Sequence, residues 1–120
     1  MSRRNERVNE LLREELSELI QHQLKDPRLS PSILITLTEV VTSVDMKYAK
    51  VYTSIMAPTE EEAKAAMKGL EAATGYLHRE LKRMLNMRFI PEITFVRDDS
   101  LERGAHLTKL INEVSQEKKG

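Results

Sequence analysis

The sequence predicts a single α+β domain, in which helices pack on one face of a mixed three-stranded sheet. Apolar residues recur at helical spacing in four segments, β-branched residues cluster in three shorter runs, and 120 residues suit one hydrophobic core. The elements follow the order α-β-β-α-α-β-α. A strand that returns after two helices forms a crossover, so we expect the second and third strands to be parallel.

The first half of the chain predicts one long amphipathic helix and a hairpin. Residues 5–25 place apolar side chains three and four positions apart, and Asp26-Pro27 ends the pattern because a residue before proline avoids helical geometry. Residues 33–44 are rich in β-branched side chains and predict the first strand. Residues 45–47 suit a turn, and residues 48–56 alternate as the antiparallel partner strand.

The second half predicts two helices, a third strand and a last helix. Thr59 and the three glutamates after it suit a helix N-terminus, because a hydroxyl caps free N–H groups and carboxylates interact favourably with the helix dipole. The sequence Ala73-Thr74-Gly75 interrupts the apolar stripe, and we expect two helices to meet at Gly75. Residues 93–96 predict the third strand, and Asp99 or Ser100 can cap a last helix. We expect residues 116–120 to fray.

The composition argues against an enzyme. No cysteine is present, which rules out disulfides, thiolate metal sites and a cysteine nucleophile. The three histidines lie far apart and outside any zinc-binding spacing, and no nucleotide-binding or nucleophile motif occurs. No apolar run is long enough to span a membrane. We therefore expect a monomeric, cytosolic, non-enzymatic protein without metal or cofactor, folded as one domain over residues 1–115.

Positive charge is concentrated after the helix junction, although the chain carries 19 basic and 19 acidic residues. Residues 73–90 hold four Lys or Arg side chains and one acidic one, and spacings of three and four place cations on one helix face. With cations from the first helix and the hairpin, they form a candidate phosphate-binding surface. The candidate RNA-binding residues are Arg3, Arg4, Arg7, Lys47, Lys50, Ala73, Thr74, Gly75, Arg79, Lys82, Arg83 and Arg88.

Aromatic residues are scarce, with three tyrosines and two phenylalanines, and no aromatic string of the kind that RNA-binding sheets use occurs. Alternation and loop position predict core or core-edge packing for Tyr48, Tyr52, Phe89 and Phe95. We therefore expect binding through nucleic-acid backbone and shape, without base stacking.

A β-α-α-β core with two tightly joined helices is the KH arrangement, and the leading helix and strand give the type II order. The GXXG loop with which KH domains clamp a nucleic-acid backbone is absent. The sequence Ala73-Thr74-Gly75 stands at its position.

The sequence resembles the ribosome-binding factor A family almost from end to end. The residues that carry the resemblance are 4–8, Asp26-Pro27-Arg28, 42–46, 49–54, Ala73-Thr74-Gly75, 81–84, 88–95 and Asp98-Asp99-Ser100 with Glu102 and Gly104. The resemblance implies a type II KH-like domain in which an Ala-x-Gly kink replaces GXXG. It also implies binding to 16S rRNA in the free 30S subunit, late maturation and 5′-end processing of that RNA, and a role in cold adaptation.

Two alternatives stay open at this point. A protein-docking module could recognise a ribosomal protein or a ribosome-assembly GTPase through the acidic segments 60–62 and 98–102. A small nuclease would need a metal held by Asp98 and Asp99, although paired acids before a helix more often serve as caps.

Overall fold

The computed structural model describes residues 3–100, and its elements follow the predicted order. They are α1 (Arg3–His22), a 3₁₀ turn (Pro27–Leu29), β1 (Leu34–Thr42), β2 (Tyr48–Met56), α2 (Glu60–Ala72), α3 (Thr74–Met84) and β3 (Glu92–Arg97). The predicted last helix and the predicted frayed tail at 116–120 lie outside the described residues. The predicted extent of the domain, residues 1–115, runs beyond them as well and stays a prediction.

The sheet has the strand order β1-β2-β3 and is mixed. β1 pairs antiparallel with β2, β2 pairs parallel with β3, and Val51 lies between Val40 and Phe95 in the two registers. Every second residue of β2 from Ala49 to Ile55 is buried, and these side chains face the helices. The predicted strand orientations and the crossover through α2 and α3 are confirmed.

β1 carries a bulge at Thr38, where the pairing register with β2 shifts after Leu37. The bulge changes which side chains face the core, because Leu37 and Val40 are both buried although they lie three positions apart. The Thr38 hydroxyl lies 3.2 Å from the Tyr52 carbonyl oxygen and 3.0 Å from the Asp98 carboxylate, so two acceptors compete for its proton. Inward-facing and outward-facing side chains therefore alternate on each side of the bulge, and the alternation fails across it.

Helix α1 ends at His22, three residues before the predicted end at residue 25. The cause is Asp26, whose backbone is extended and whose side chain accepts a hydrogen bond of 2.9 Å from the Arg28 amide. The chain must leave the helix early to reach this geometry. Leu24, outside the helix, still packs at the edge of the core.

The core lies between the helices and one face of the sheet. Phe95 is 5% exposed, as predicted, and Tyr52 is half-buried at the edge. The side chains that fill the core from the helices are Leu12, Leu16, Leu19, Ile20, Ala63, Ala66, Leu70, Leu77 and Leu81. These positions recur at helical spacing, which is why the sequence pattern identified the helices.

The predicted packing of Phe89 and Tyr48 is wrong. Phe89 is 72% exposed and Tyr48 is 57% exposed. In the loop that carries Phe89, the next two residues take the inner positions: Ile90 packs at the core edge and Pro91 is fully buried. Tyr48 lies on the outer face of β2, because its neighbour Ala49 faces the helices.

Candidate nucleic-acid interface

Helices α2 and α3 meet at Ala73, two residues before the predicted junction at Gly75. Ala73 has helical-region dihedrals (φ −87°, ψ −3°), and its N–H points at the carbonyl oxygens of Gly69 and Leu70, both at 3.1 Å. Its own carbonyl accepts the Leu77 amide at 2.9 Å. The two helices are thus joined through a single residue that is hydrogen-bonded on both sides, and the junction needs no left-handed residue.

Gly75 lies exposed in the first turn of α3. A Cβ placed on Gly75 would find the Arg79 guanidinium nitrogen Nη1 nearest, at 4.0 Å. Packing within the described residues therefore does not demand a glycine here. The missing side chain leaves the backbone of this turn open to a partner beside the cationic Arg79.

Contacts with α1 and the 3₁₀ turn fix the two helices of the junction. The Tyr76 hydroxyl donates a 3.0 Å hydrogen bond to the Gln23 side-chain oxygen, and the neighbouring Leu77 is fully buried. On α2, Gly69 faces the Arg28 and Leu29 side chains, which lie 3.5 Å from where its Cβ would be. The segment that follows α1, residues 23–29, therefore contacts both helices of the junction.

The cations of α3 differ in their freedom to bind a partner. Arg79, Lys82 and Arg83 are all exposed, but Arg83 donates a 2.6 Å hydrogen bond to Glu80, which raises the pKa of the arginine. Within residues 3–100, neither Arg79 nor Lys82 forms an ion pair with a carboxylate. Arg79 and Lys82 are therefore the two cations of this helix best suited to phosphate binding.

The loop after α3 is held against the same helix. The His78 nitrogen Nε2 lies 3.0 Å from the Ile90 carbonyl oxygen, so a protonated Nε2 donates a hydrogen bond to the loop. Just before Ile90, the Arg88 guanidinium lies 5.5 Å from the centroid of the Phe89 ring, over its face. Sequence analysis identified Arg88 but missed the exposed Phe89.

The remaining candidate cations lie elsewhere, so the predicted single surface divides into separate groups. Asn5 donates a 3.2 Å hydrogen bond to the Ser43 carbonyl and ties the start of α1, with Arg3, Arg4 and Arg7, to the β1–β2 turn that carries Lys47. Gln23, which lies beside the helix junction, is about 27 Å from Asn5 along the axis of α1, at the usual rise per helical residue. Lys50 is exposed between two buried neighbours and therefore faces away from the helices.

We call the larger group the junction surface. It consists of Ala73, Thr74, Gly75, Arg79, Lys82, Arg83 and Arg88. The smaller group, the hairpin-end cations, consists of Arg3, Arg4, Arg7 and Lys47.

Two carboxylates of the acidic segments 60–62 and 98–102 form hydrogen bonds within the fold. Glu60 accepts a 2.5 Å hydrogen bond from Arg97, which lowers the pKa of the glutamate. Asp98 accepts from the Ser100 amide at 3.0 Å, the geometry of a helix cap. Within residues 3–100 no three His, Asp or Glu side chains group as metal ligands, and no helix is long and apolar enough to cross a membrane.

A family model described as ribosome-binding factor A matches residues 4–111. The ribosome-binding factor A of Acetivibrio thermocellus is 50% identical over 117 residues, covering 98% of this chain and 93% of the relative. That of Caldicellulosiruptor bescii is 46% identical over 112 residues, covering 93% of this chain and 84% of the relative.

Solved structures agree with these matches. The crystal structure of ribosome-binding factor A from Thermus thermophilus aligns with a TM-score of 0.65 at 31% identity, covering 78% of this chain and 93% of that one. A homology model of the Thermus thermophilus factor, fitted into a cryo-EM map of a 30S–RbfA complex, aligns with a TM-score of 0.61 at 30% identity. It covers 76% of this chain and 91% of that one.

Proposed function

Because the chain belongs to the ribosome-binding factor A family, we propose that it binds the 30S ribosomal subunit through the junction surface while that subunit matures. The family is one of non-enzymatic ribosome assembly factors, so the function is binding. The observation that carries the site assignment is the one-residue junction at Ala73, with the exposed Gly75 backbone beside two cations, Arg79 and Lys82, that pair with no carboxylate within residues 3–100.

The junction surface suits a phosphate backbone. Arg79 and Lys82 lie three residues apart, on one side of α3, and can contact neighbouring phosphates. A phosphate can approach the turn closely because Gly75 has no side chain.

We assign to Ala73-Thr74-Gly75 the place that the GXXG loop takes in KH domains. In both arrangements two helices of a β-α-α-β unit join without a long loop. In this chain the join is a single residue hydrogen-bonded on both sides, so the backbone is presented in one fixed conformation. Such preorganisation reduces the entropy lost when the RNA binds.

The hairpin-end cations are too distant to serve the same stretch of RNA backbone. They lie about 27 Å from the junction along α1. We propose that they make a separate contact, and that Lys50, on the outer face of the sheet, belongs to neither contact.

Selective binding gives the mechanism. A protein that prefers one conformation of immature rRNA stabilises that conformation by its differential affinity and leaves when the conformation changes. Because phosphate contacts release counterions, affinity should fall steeply as salt rises.

Sedimentation of a cell extract on sucrose gradients at low and raised salt tests this function. We expect the protein with free 30S subunits at low salt and at the top of the gradient at raised salt. Recovery only at the top under both conditions would contradict stable subunit binding.

A further inference from the structure

Phe89 is an exposed aromatic ring for which the fold offers no packing role. It is 72% exposed, and the neighbouring Ile90 and Pro91 already fill the inner positions of the loop. Leaving such a ring in water forfeits the free energy of apolar burial. The loop is nevertheless held in place, since His78 contacts the Ile90 carbonyl oxygen at 3.0 Å. The ring is therefore displayed from a fixed segment.

The segment that leads to Phe89 carries cations and an exposed apolar side chain. Arg88 lies over the ring, 5.5 Å from its centroid, which leaves the opposite face open. Met84, at the end of α3, is 42% exposed, and Lys82 and Arg83 occupy the same last turn. An open aromatic face among cations complements a nucleotide, whose flat base stacks while its phosphate binds the cations.

We propose that Phe89 is a stacking platform for an unpaired base of 16S rRNA, with Arg88 supporting the ring from its other face. This inference rests on the proposed function and adds that the contacted RNA includes an unpaired nucleotide, because a base within a duplex has no free face. Tyr48, the other exposed ring, follows Lys47 and shares the outer face of the sheet with Lys50, but within residues 3–100 no cation lies over its ring, and Glu92 is beside it in the register.

Two variants of Phe89, compared with one control, test the proposal through binding to purified 30S subunits. Phe89→Leu keeps apolar volume and removes the ring, so we expect about 10-fold weaker binding, the size of one base–aromatic stack. The salt slope should not change, because no cation is lost. Phe89→Tyr should bind within about two-fold of the wild type, as should the control Met84→Leu, which alters an exposed apolar side chain of the same surface.

A photo-crosslinking residue at position 89 identifies the class of partner. We expect crosslinked 16S rRNA that nuclease digestion shortens, whereas the same residue at position 61, exposed at the start of α2 and outside both groups of cations, should not give it. Crosslinks only to a ribosomal protein, or wild-type affinity of Phe89→Leu, would overturn base stacking. If the wild type binds subunits and Phe89→Leu binds equally, this inference alone fails; if the wild type does not bind, the proposed function fails with it.

Discussion

The His78 nitrogen Nε2 lies 3.0 Å from the main-chain oxygen of Ile90, and this contact joins α3 to the loop before β3. Both residues of this contact are close in sequence to cations of the junction surface. His78 lies one residue before Arg79, and Ile90 follows Arg88 and Phe89 in the loop. This hydrogen bond thus holds the loop that carries Arg88 against the helix that carries Arg79 and Lys82.

Loss of the His78 side chain should loosen the loop and weaken subunit binding. For His78→Ala we expect a fall of about 1 kcal/mol in the free energy of unfolding, the net worth of one hydrogen bond. We also expect a several-fold loss of 30S affinity, because the loop must then be ordered on binding. Urea unfolding and cosedimentation measure the two effects. The control is His22→Ala, on an exposed site, and equal effects from both variants would contradict the role of the contact.

Substitution of Gly75 should separate folding from binding. Gly75→Ala fits without a clash and should raise stability by up to about 0.5 kcal/mol, because glycine costs conformational entropy in a helix. Gly75→Leu should fold as well and yet bind 30S subunits at least about 10-fold more weakly, since its side chain blocks the approach of a phosphate. Thermal unfolding and cosedimentation test both claims. Full binding by Gly75→Leu would remove the open turn from the mechanism.

The pH dependence of stability should report the contact between Asp26 and Arg28. Hydrogen bonds from the Arg28 side chain and amide lower the pKa of Asp26 from 3.8 to about 2. Because the folded-state pKa lies below the unfolded one, the stabilisation is complete above about pH 4 and is lost as the pH falls towards 2. Asp26→Asn should therefore show a shallower loss of stability over that window, measured as urea midpoints. The control Glu61→Gln should show the same pH profile as the wild type. A wild-type profile for Asp26→Asn would contradict a stabilising contact between Asp26 and Arg28.

The order and orientation of the elements were predictable because the apolar pattern of each element is local. β2 was predicted to the residue, because its buried and exposed side chains alternate from Tyr48 to Thr53 and Ala57-Pro58 ends the strand. The end of α1 was missed because Asp26 caps the next turn with its side chain, and the β1 bulge was missed because Thr38 forms its contacts with Tyr52 and Asp98, distant in sequence. Contacts between distant residues leave no mark in local periodicity.

The candidate site was predicted in its members but not in its grouping. Charge density along the sequence identified the cations, yet it takes the contacts of Asn5 and Asn9 with Thr42 and Ser43 to show that the first turns of α1 lie at the hairpin end. The exposure of Phe89 was missed for a similar reason, since an apolar residue before Ile90 and Pro91 looks like part of the core. One available signal was that three consecutive residues of a loop rarely all point inward.

The salt dependence of 30S binding by Arg79→Gln/Lys82→Gln tests the central claim most directly, since the proposed phosphate contacts of the junction surface depend on these two cations. If each contacts a phosphate, affinity should fall about 10-fold at moderate salt, and the slope of log affinity against log salt should become shallower by about 1.5. The control Lys64→Gln/Lys68→Gln removes the same charge from exposed positions of α2 and should bind within about two-fold of the wild type. Wild-type affinity and slope in the Arg79/Lys82 variant, or an equal loss in the control, would contradict the account.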